Sequence, residues 1–177
     1  MTVVATLLLT SALLAAPPVL DTCAGGRLPG KLRDVLVGRF PGWRLVTVND
    51  LHRDDQVIWL TDRGQECPGI AIGRFQSARR VSYGLLLIRA DRERLLERLV
   101  VVQSAGSKGY HVTELVGPTE TARPSVIFRA PPGVITSWDQ SERVRIQNDA
   151  IVHAVLEARV EAFYWHAGIW RSIRTSD

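Results

Sequence analysis

The stretch that most constrains the fold runs from Cys67 to Arg89, CPGIAIGRFQSARRVSYGLLLIR. It opens on Cys67-Pro68-Gly69, a turn signal, because proline fixes φ and glycine accepts dihedrals that other residues avoid. Ile70, Ile72 and Arg74 then alternate with Ala71, Gly73 and Phe75. After the polar, basic segment Gln76-Ser77-Ala78-Arg79-Arg80 comes the run Leu85-Leu86-Leu87-Ile88. A short run that is apolar at every position fits a strand covered on both faces, although periodicity by itself also allows a buried helical turn. The stretch therefore reads as a hairpin of two strands, Gly69–Phe75 and Val81–Arg89. A 177-residue chain is long enough to cover such a hairpin within one domain, without metal or many disulfides.

Gly73-x-Phe75, a polar loop and Leu85-Leu86 together resemble the core hairpin of FG-GAP or VCBS-type repeats of secreted and cell-surface proteins. Many of those repeats bind calcium through Asp- and Asn-rich loops, since Ca²⁺ takes oxygen ligands. Here no carboxylate lies between Arg74 and Arg89, and the loop carries Arg74, Arg79 and Arg80 instead, so the resemblance brings no calcium. The layout Pro41-Gly42-Trp43, Cys67-Pro68-Gly69 and Thr175-Ser176-Asp177 also resembles that of uncharacterised secreted bacterial proteins, a likeness that implies no activity.

The rest of the chain supports an α+β fold: two amino-terminal helices packed on a mainly antiparallel meander of seven to nine strands, bent into a half-barrel or a propeller-like wedge. Leu32, Val35, Leu36 and Phe40 share a helical face over Lys31–Phe40, which Pro41-Gly42 ends. Trp43–Val48 alternates as a short strand. Asn49-Asp50 reads as the cap of a second helix running to about Asp62 and stopping at Gly64, with Asp54 and Asp55 compensating the dipole in a solvated first turn. Asp91–Arg98 is either one helical turn or a charged hairpin loop. Leu99–Gln103 and Tyr110–Val116 are strands about the turn Ser104–Gly109. Gly117–Arg143, with its four prolines, reads as a long irregular loop with room for a short strand at Ser125–Arg129. Val144–Gln147 is a further strand. Residues 149–165 suit a helix capped by Asp149, but Ala150, Val152, Ala154, Leu156, Ala158 and Val160 alternate. Two strands, Ile151–Leu156 and Val160–His166, are the reading taken. Tyr164-Trp165 and Ile169-Trp170 flank a glycine turn as an aromatic hairpin.

Residues 2–16, TVVATLLLTSALLAA, are too short for a comfortable membrane span and suit the apolar core of a secretory signal. No clean A-x-A site follows. A cut after Ala16 places Leu14 at the −3 position and Pro17 beside the cut; a cut after Ala24 suits by residue size but leaves a long c-region. Leu20-Asp21-Thr22 before Cys23 forms no lipobox. The expected organisation is a signal or signal-like segment over residues 1–24 and one α+β domain over residues 25–177, periplasmic or secreted. An uncleaved anchor or a misplaced start codon are the alternatives. Membrane contact is expected only through that segment. Export permits disulfides. If the cut precedes Cys23, then Cys23 and Cys67 can pair; if it follows Ala24, Cys67 is left alone and buried.

Of the 22 cationic residues only Lys31 and Lys108 are lysines, leaving 20 arginines. Arginine matches carboxylate and phosphate bidentately, although a GC-rich genome gives the same enrichment. The net charge of +4 is scattered rather than striped, so no nucleic-acid partner is expected. No C-x-x-C or H-E-x-x-H occurs, and no metal or cofactor is expected. His52, Asp54 and Asp55 are close in sequence, but consecutive helical residues diverge. His111 is expected to face solvent. His153 and Glu157 share a face as helix or strand and could orient a general base, yet no serine or cysteine nucleophile matches them, so a polar surface pair is expected. A hydrolase would need His153, Glu157, Glu66 and His52 to converge, and no catalytic residue is assigned. The binding candidates are Trp138 and Asp139 in the long loop, since an exposed tryptophan buries much area on contact, together with Arg79 and Arg80. The expected function is an exported, non-catalytic domain that binds a protein or a cell-envelope glycan. The alternative is an inhibitor or immunity-type protein that blocks a hydrolase or toxin.

Overall fold

The computed structural model describes Cys23 and residues 28–176; apart from Cys23, the expected signal segment over residues 1–24 lies outside the described residues. Among the described residues two α-helices and eleven strands in antiparallel sheets make up an α+β fold dominated by sheet. The helices are α1 (Gly30–Arg39) and α2 (Arg53–Arg63). The strands are β1 (Arg44–Leu45), β2 (Ile70–Gly73), β3 (Ser82–Asp91), β4 (Arg94–Ser104), β5 (Tyr110–Thr121), β6 (Val126–Ala130), β7 (Gly133–Thr136), β8 (Arg143–Ile146), β9 (Ala150–Val155), β10 (Arg159–His166) and β11 (Ile169–Ser176). One sheet runs β1-β3-β4-β5, with β2 also paired to β3; a second runs β11-β10-β9-β6; β7 and β8 form a separate hairpin. The single meander expected from sequence is thus two larger sheets and a two-stranded hairpin, and the strand count exceeds the seven to nine anticipated.

The apolar run in β3 explains the layering. Successive strand residues face opposite sides, and Leu85 and Leu87 join one buried cluster while Leu86 and Ile88 join another. Val100 and Val102 of β4 follow the first pair; Leu99 and Val101 follow the second. On the first side, Leu32 and Leu36 of α1, with Phe40 just past its end, cover the sheet. On the other, Val126, Ile127, Ile151, Ala154 and Phe163 of the second sheet face it. The outer face of the second sheet is covered in turn by the β7–β8 hairpin, where Ile135, Val144 and Ile146 meet Ala150, Ala162, Tyr164 and Ile173. The sequence run is therefore covered on both faces because its strand is the middle of a stack.

Leu86 is also the junction of the first sheet's edge. β1 pairs with Leu87 and Ile88, β2 pairs with Ser82 to Leu85, and both lie on the side of β3 opposite β4. Between them the Val46 N–H donates to the Leu86 carbonyl at 3.1 Å, and the Leu86 N–H donates to the Gly69 carbonyl at 2.9 Å. A Cβ on Gly69 would stand 2.5 Å from the Val46 carbonyl oxygen, so this close approach requires glycine. A disulfide joins Cys67, just before this junction, to Cys23, with Cα atoms 5.2 Å apart.

Several local expectations are corrected. Asp50 does not cap α2. Its carboxylate takes the Thr47 N–H and hydroxyl at 2.8 Å and pairs with Arg44, closing a 3₁₀ turn over Val48–Asp50. The helix begins at Arg53, after His52, and the strand expected over Trp43–Val48 shortens to Arg44–Leu45. Asp55 is not solvated: it is buried and accepts two bonds from the Arg123 guanidinium, at 2.7 and 2.8 Å. Of Asp91–Arg98, only Arg92 and Glu93 turn, with Arg92 at φ 56, and the remainder is strand, because Asp91 and Arg94 close the β3–β4 ladder. Residues 117–143 are not irregular. They hold the end of β5, all of β6 and β7, and the start of β8. Residues 149–165 are the two strands β9 and β10, as the alternation predicts, turning through Glu157 at φ 60.

Candidate functional site

The hairpin loop carries the site. Phe75 is wholly buried, and the chain can fold its ring inward because residue 73 is glycine: a Cβ there would lie 2.6 Å from the Phe75 ring and 3.0 Å from the Asp149 carboxylate. Between the anchored Phe75 and the start of β3, the Ser77 hydroxyl accepts the Arg79 N–H at 3.2 Å and the Ser77 carbonyl accepts the Arg80 N–H at 3.3 Å. That turn leaves Arg79 and Arg80 exposed, and Arg74 is exposed before it. Among the described residues no carboxylate lies within ion-pair distance of these three arginines.

Beside the loop lies an open cleft of about 560 Å³ whose lining includes Ile72, Arg74, Val81, Arg129, Pro132 and Asp149. It sits where the two sheets part. The Ile127 N–H of β6 donates to the Pro68 carbonyl at 2.8 Å, and the cleft opens beside Ile72 and Arg129, toward the ends of β2 and β6. Asp149 fastens the rim. Its side chain is 8% exposed; one oxygen accepts the Arg74 N–H at 2.7 Å and the other lies 3.4 Å from an Arg129 nitrogen. The Arg129 side chain is half exposed, and this single long contact leaves most of its donors directed to solvent. Ile72 and Val81 are exposed apolar groups at the same place. The cleft therefore offers guanidinium donors beside a small apolar surface. An adjoining hollow shares Val81 and adds Arg80, Tyr83 and Tyr110.

Trp138 and Asp139 lie elsewhere. The β7–β8 register places Gly133 opposite Ile146 and Thr136 opposite Arg143, so Pro132 and Gln147 bring one end of the hairpin to the cleft and Trp138 occupies the other. Trp138 is 52% exposed, and its N–H donates to the Arg174 carbonyl of β11 at 3.0 Å. Asp139 accepts from the Ser137 hydroxyl at 2.6 Å and from the Ser141 hydroxyl and N–H at 2.8 and 3.1 Å. The bond from Ser137, then those from Ser141, hold its carboxyl down to about 2. Asp139 thus builds the turn that displays Trp138.

The expected His153–Glu157 surface pair is not formed. His153 is buried between the sheets, and its Nε2 lies 3.1 Å from Glu97 Oε1; Glu97 Oε2 accepts the Ser125 N–H at 2.7 Å. Burial by itself would raise the Glu97 pKa, but the bonds from His153 and Ser125 outweigh it and hold the carboxyl below its ordinary value. Glu157 is exposed in the β9–β10 turn, Glu66 is exposed after α2, and His52 is an exposed neighbour of Asp54, 3.6 Å away. His111 faces solvent, as expected. Among the described residues no group of three or more His, Cys, Asp or Glu could hold a metal ion. No helix among them is long and apolar enough to cross a membrane.

Arg129, Asp149 and Glu97 do not read as site residues in the sequence, where Asp149 figures only as the cap of a possible helix. The signal for Glu97 is its phase: Leu95, Glu97, Leu99 and Val101 alternate, so the carboxylate falls on the inward face. Asp149 lies 75 residues from Arg74 and 20 from Arg129, and no local pattern announces such contacts. No family model, no curated protein and no solved structure matches this chain.

Proposed function

We propose that the chain is an exported, non-catalytic domain that binds an anionic partner, a protein or a cell-envelope glycan, through the basic cleft between β2 and β6. The observation that carries this reading is the set of exposed arginines Arg74, Arg79 and Arg80, with no carboxylate partner, beside a cleft that adds Arg129. Arginines held without counter-charges on an ordered loop are matched to carboxylate or phosphate. The Cys23–Cys67 disulfide fits an oxidising compartment, which supports export. A leader cut after Ala24 would discard Cys23 and the bridge with it, so a mature chain that keeps the bridge begins at or before Cys23.

The test is retention of envelope proteins and envelope polysaccharides on immobilised protein. Wild type should hold an anionic fraction that salt releases, since exposed charge pairs are screened. The triple variant Arg74→Gln, Arg79→Gln, Arg80→Gln should not hold it. Equal retention by both proteins, or none by either, refutes the assignment.

The displayed Trp138 supports a second reading, an inhibitor or immunity-type protein that docks through the far end of the β7–β8 hairpin. In that case Trp138→Ala abolishes inhibition of the target hydrolase or toxin, whereas the triple arginine variant leaves it intact.

A further inference from the structure

We infer that the ligand of the basic cleft is an acidic glycan, a chain of carboxylate-bearing sugars, which runs on across Val81 into the tyrosine-lined hollow; this rests on the binding reading above and names its partner class. The sheet register brings the two hollows onto one face. Ile72 pairs with Tyr83, and Tyr83 with Val102, and paired residues point to the same side of a sheet. Ser104, two residues beyond Val102 on β4, shares that side and pairs with Tyr110. The same side carries Leu85 and Leu87, which α1 covers. Toward the β2–β3 loop that cover ends: Ile72 and Val81 are exposed, and Tyr83 and Tyr110 are half-buried. Val81 lines both hollows, which hold about 560 and 380 Å³, each within the roughly 300–1,000 Å³ of small-ligand sites.

The chemistry of the second hollow suits a sugar. A sugar ring has an apolar C–H face and a hydroxyl edge, and a tyrosine matches both, with an apolar ring and a polar tip. The rings of Tyr83 and Tyr110 pack on the core beneath α1. Among the described residues neither hydroxyl has a hydrogen-bond partner, and neither is sealed from solvent. Arg80 lies at the same hollow, and Arg74 and Arg129 lie in the cleft on the other side of Val81. Guanidinium groups spaced in this way, with apolar surface between them, match a chain that carries one carboxylate on each sugar. Asp149, in the cleft wall, is buried and turned to the Arg74 N–H and to Arg129, so its charge is compensated there. An acidic peptide fits less well. The outward N–H groups on either side of Ile72 are taken, that of Ile70 by the Cys67 carbonyl and that of Arg74 by Asp149, so a peptide backbone finds no edge to pair with.

The experiment titrates the full protein at low salt with fluorescent probes, read by anisotropy. They are oligogalacturonate, its methyl ester, and two polyanions without sugar rings, oligoglutamate and polyphosphate. Oligogalacturonate should bind most tightly, and its uncharged ester about tenfold more weakly or worse. Arg74→Gln should weaken oligogalacturonate by about tenfold. The double variant Tyr83→Phe, Tyr110→Phe keeps both rings in the core. It should weaken oligogalacturonate by about tenfold through the lost hydroxyls, with an unchanged melting temperature and unchanged binding of the other polyanions. Arg159→Gln, an exposed arginine at the opposite end of the second sheet, should change nothing. Oligoglutamate or polyphosphate binding as tightly as oligogalacturonate, and still lost in Arg74→Gln, overturns the glycan but leaves the basic cleft as a binding site. So does equal binding of oligogalacturonate by wild type and the double tyrosine variant. Equal binding of the ester, or failure of every probe, removes the glycan and the basic cleft together.

Discussion

Glu97→Ala tests whether the two sheets are locked by the buried pair that crosses between them. The carboxylate on β4 serves two donors from the second layer, the His153 ring at 3.1 Å on β9 and the Ser125 N–H at 2.7 Å just before β6. All three residues are buried. Removing the carboxylate strands both donors and leaves a gap. Leaving two buried donors unpaired by deleting their shared acceptor costs roughly 2–6 kcal/mol, about 1–3 for each, because water cannot replace the lost partner. Glu97→Gln keeps the shape and one acceptor, so its cost should be about 1–2 kcal/mol. The assay is urea unfolding of wild type and both variants at neutral pH, with the slopes compared to confirm that the same surface is exposed. The acid limb adds a second readout. Glu97 titrates below its unfolded value in the folded chain, so its contribution is complete above that unfolded value, about 4.3. It disappears as pH falls through the lower folded value. Wild type should therefore lose part of its advantage over Glu97→Gln in acid. A loss under about 1 kcal/mol for Glu97→Ala, against the range for two unpaired buried donors, together with parallel acid limbs, would refute the argument.

The bridge between Cys23 and Cys67 spans 44 residues, and closing such a loop stabilises by up to about 4 kcal/mol in the chain-entropy treatment. Reductant should lower the melting temperature and free two thiols; thiols titratable before reduction would contradict the bridge. Gly69→Ala forces a Cβ to within 2.5 Å of the Val46 carbonyl oxygen, and backbone cannot step aside as a side chain can. The expected loss is about 2–3 kcal/mol, read by urea unfolding, and a neutral result would place β1 and β2 apart. Trp138→Ala removes a ring that is 52% exposed and should change stability by about 0.5 kcal/mol at most. A larger loss would mean that the ring packs on the protein.

What could be read from the sequence was what local pattern encodes. The β2–β3 hairpin follows from a proline–glycine turn and an apolar run, and β9–β10 follows from period-two alternation with no glycine or proline to interrupt it. Arg92 to Arg98 was harder because Glu, Arg and Leu are good helix formers; pairing of Leu95 to Leu99 with β3 and β5 overrides that preference. The β7–β8 hairpin was hidden by prolines and by its mixed composition, since only Ile135, Val144 and Ile146 meet the sheet beneath. The arginines of the loop were legible as a basic segment. The cleft was not, because Asp149 and Arg129 reach it from other strands, and the His153–Glu97 contact spans 56 residues.

The cleft itself follows from how β2 ends. A strand that continued past Gly73 would keep pairing along β3 and close the gap toward the β2–β3 loop. Instead the missing Cβ at residue 73 lets Phe75 turn into the core between the sheets, which draws the chain off the β3 edge after only four residues. The Arg74 N–H points away from β3 and would be an unpaired donor, and Asp149 meets it from the turn before β9. That same carboxylate steadies Arg129 on the facing strand. The three features that open the cleft (a glycine, an inward phenylalanine and a buried aspartate) therefore also point its arginines outward.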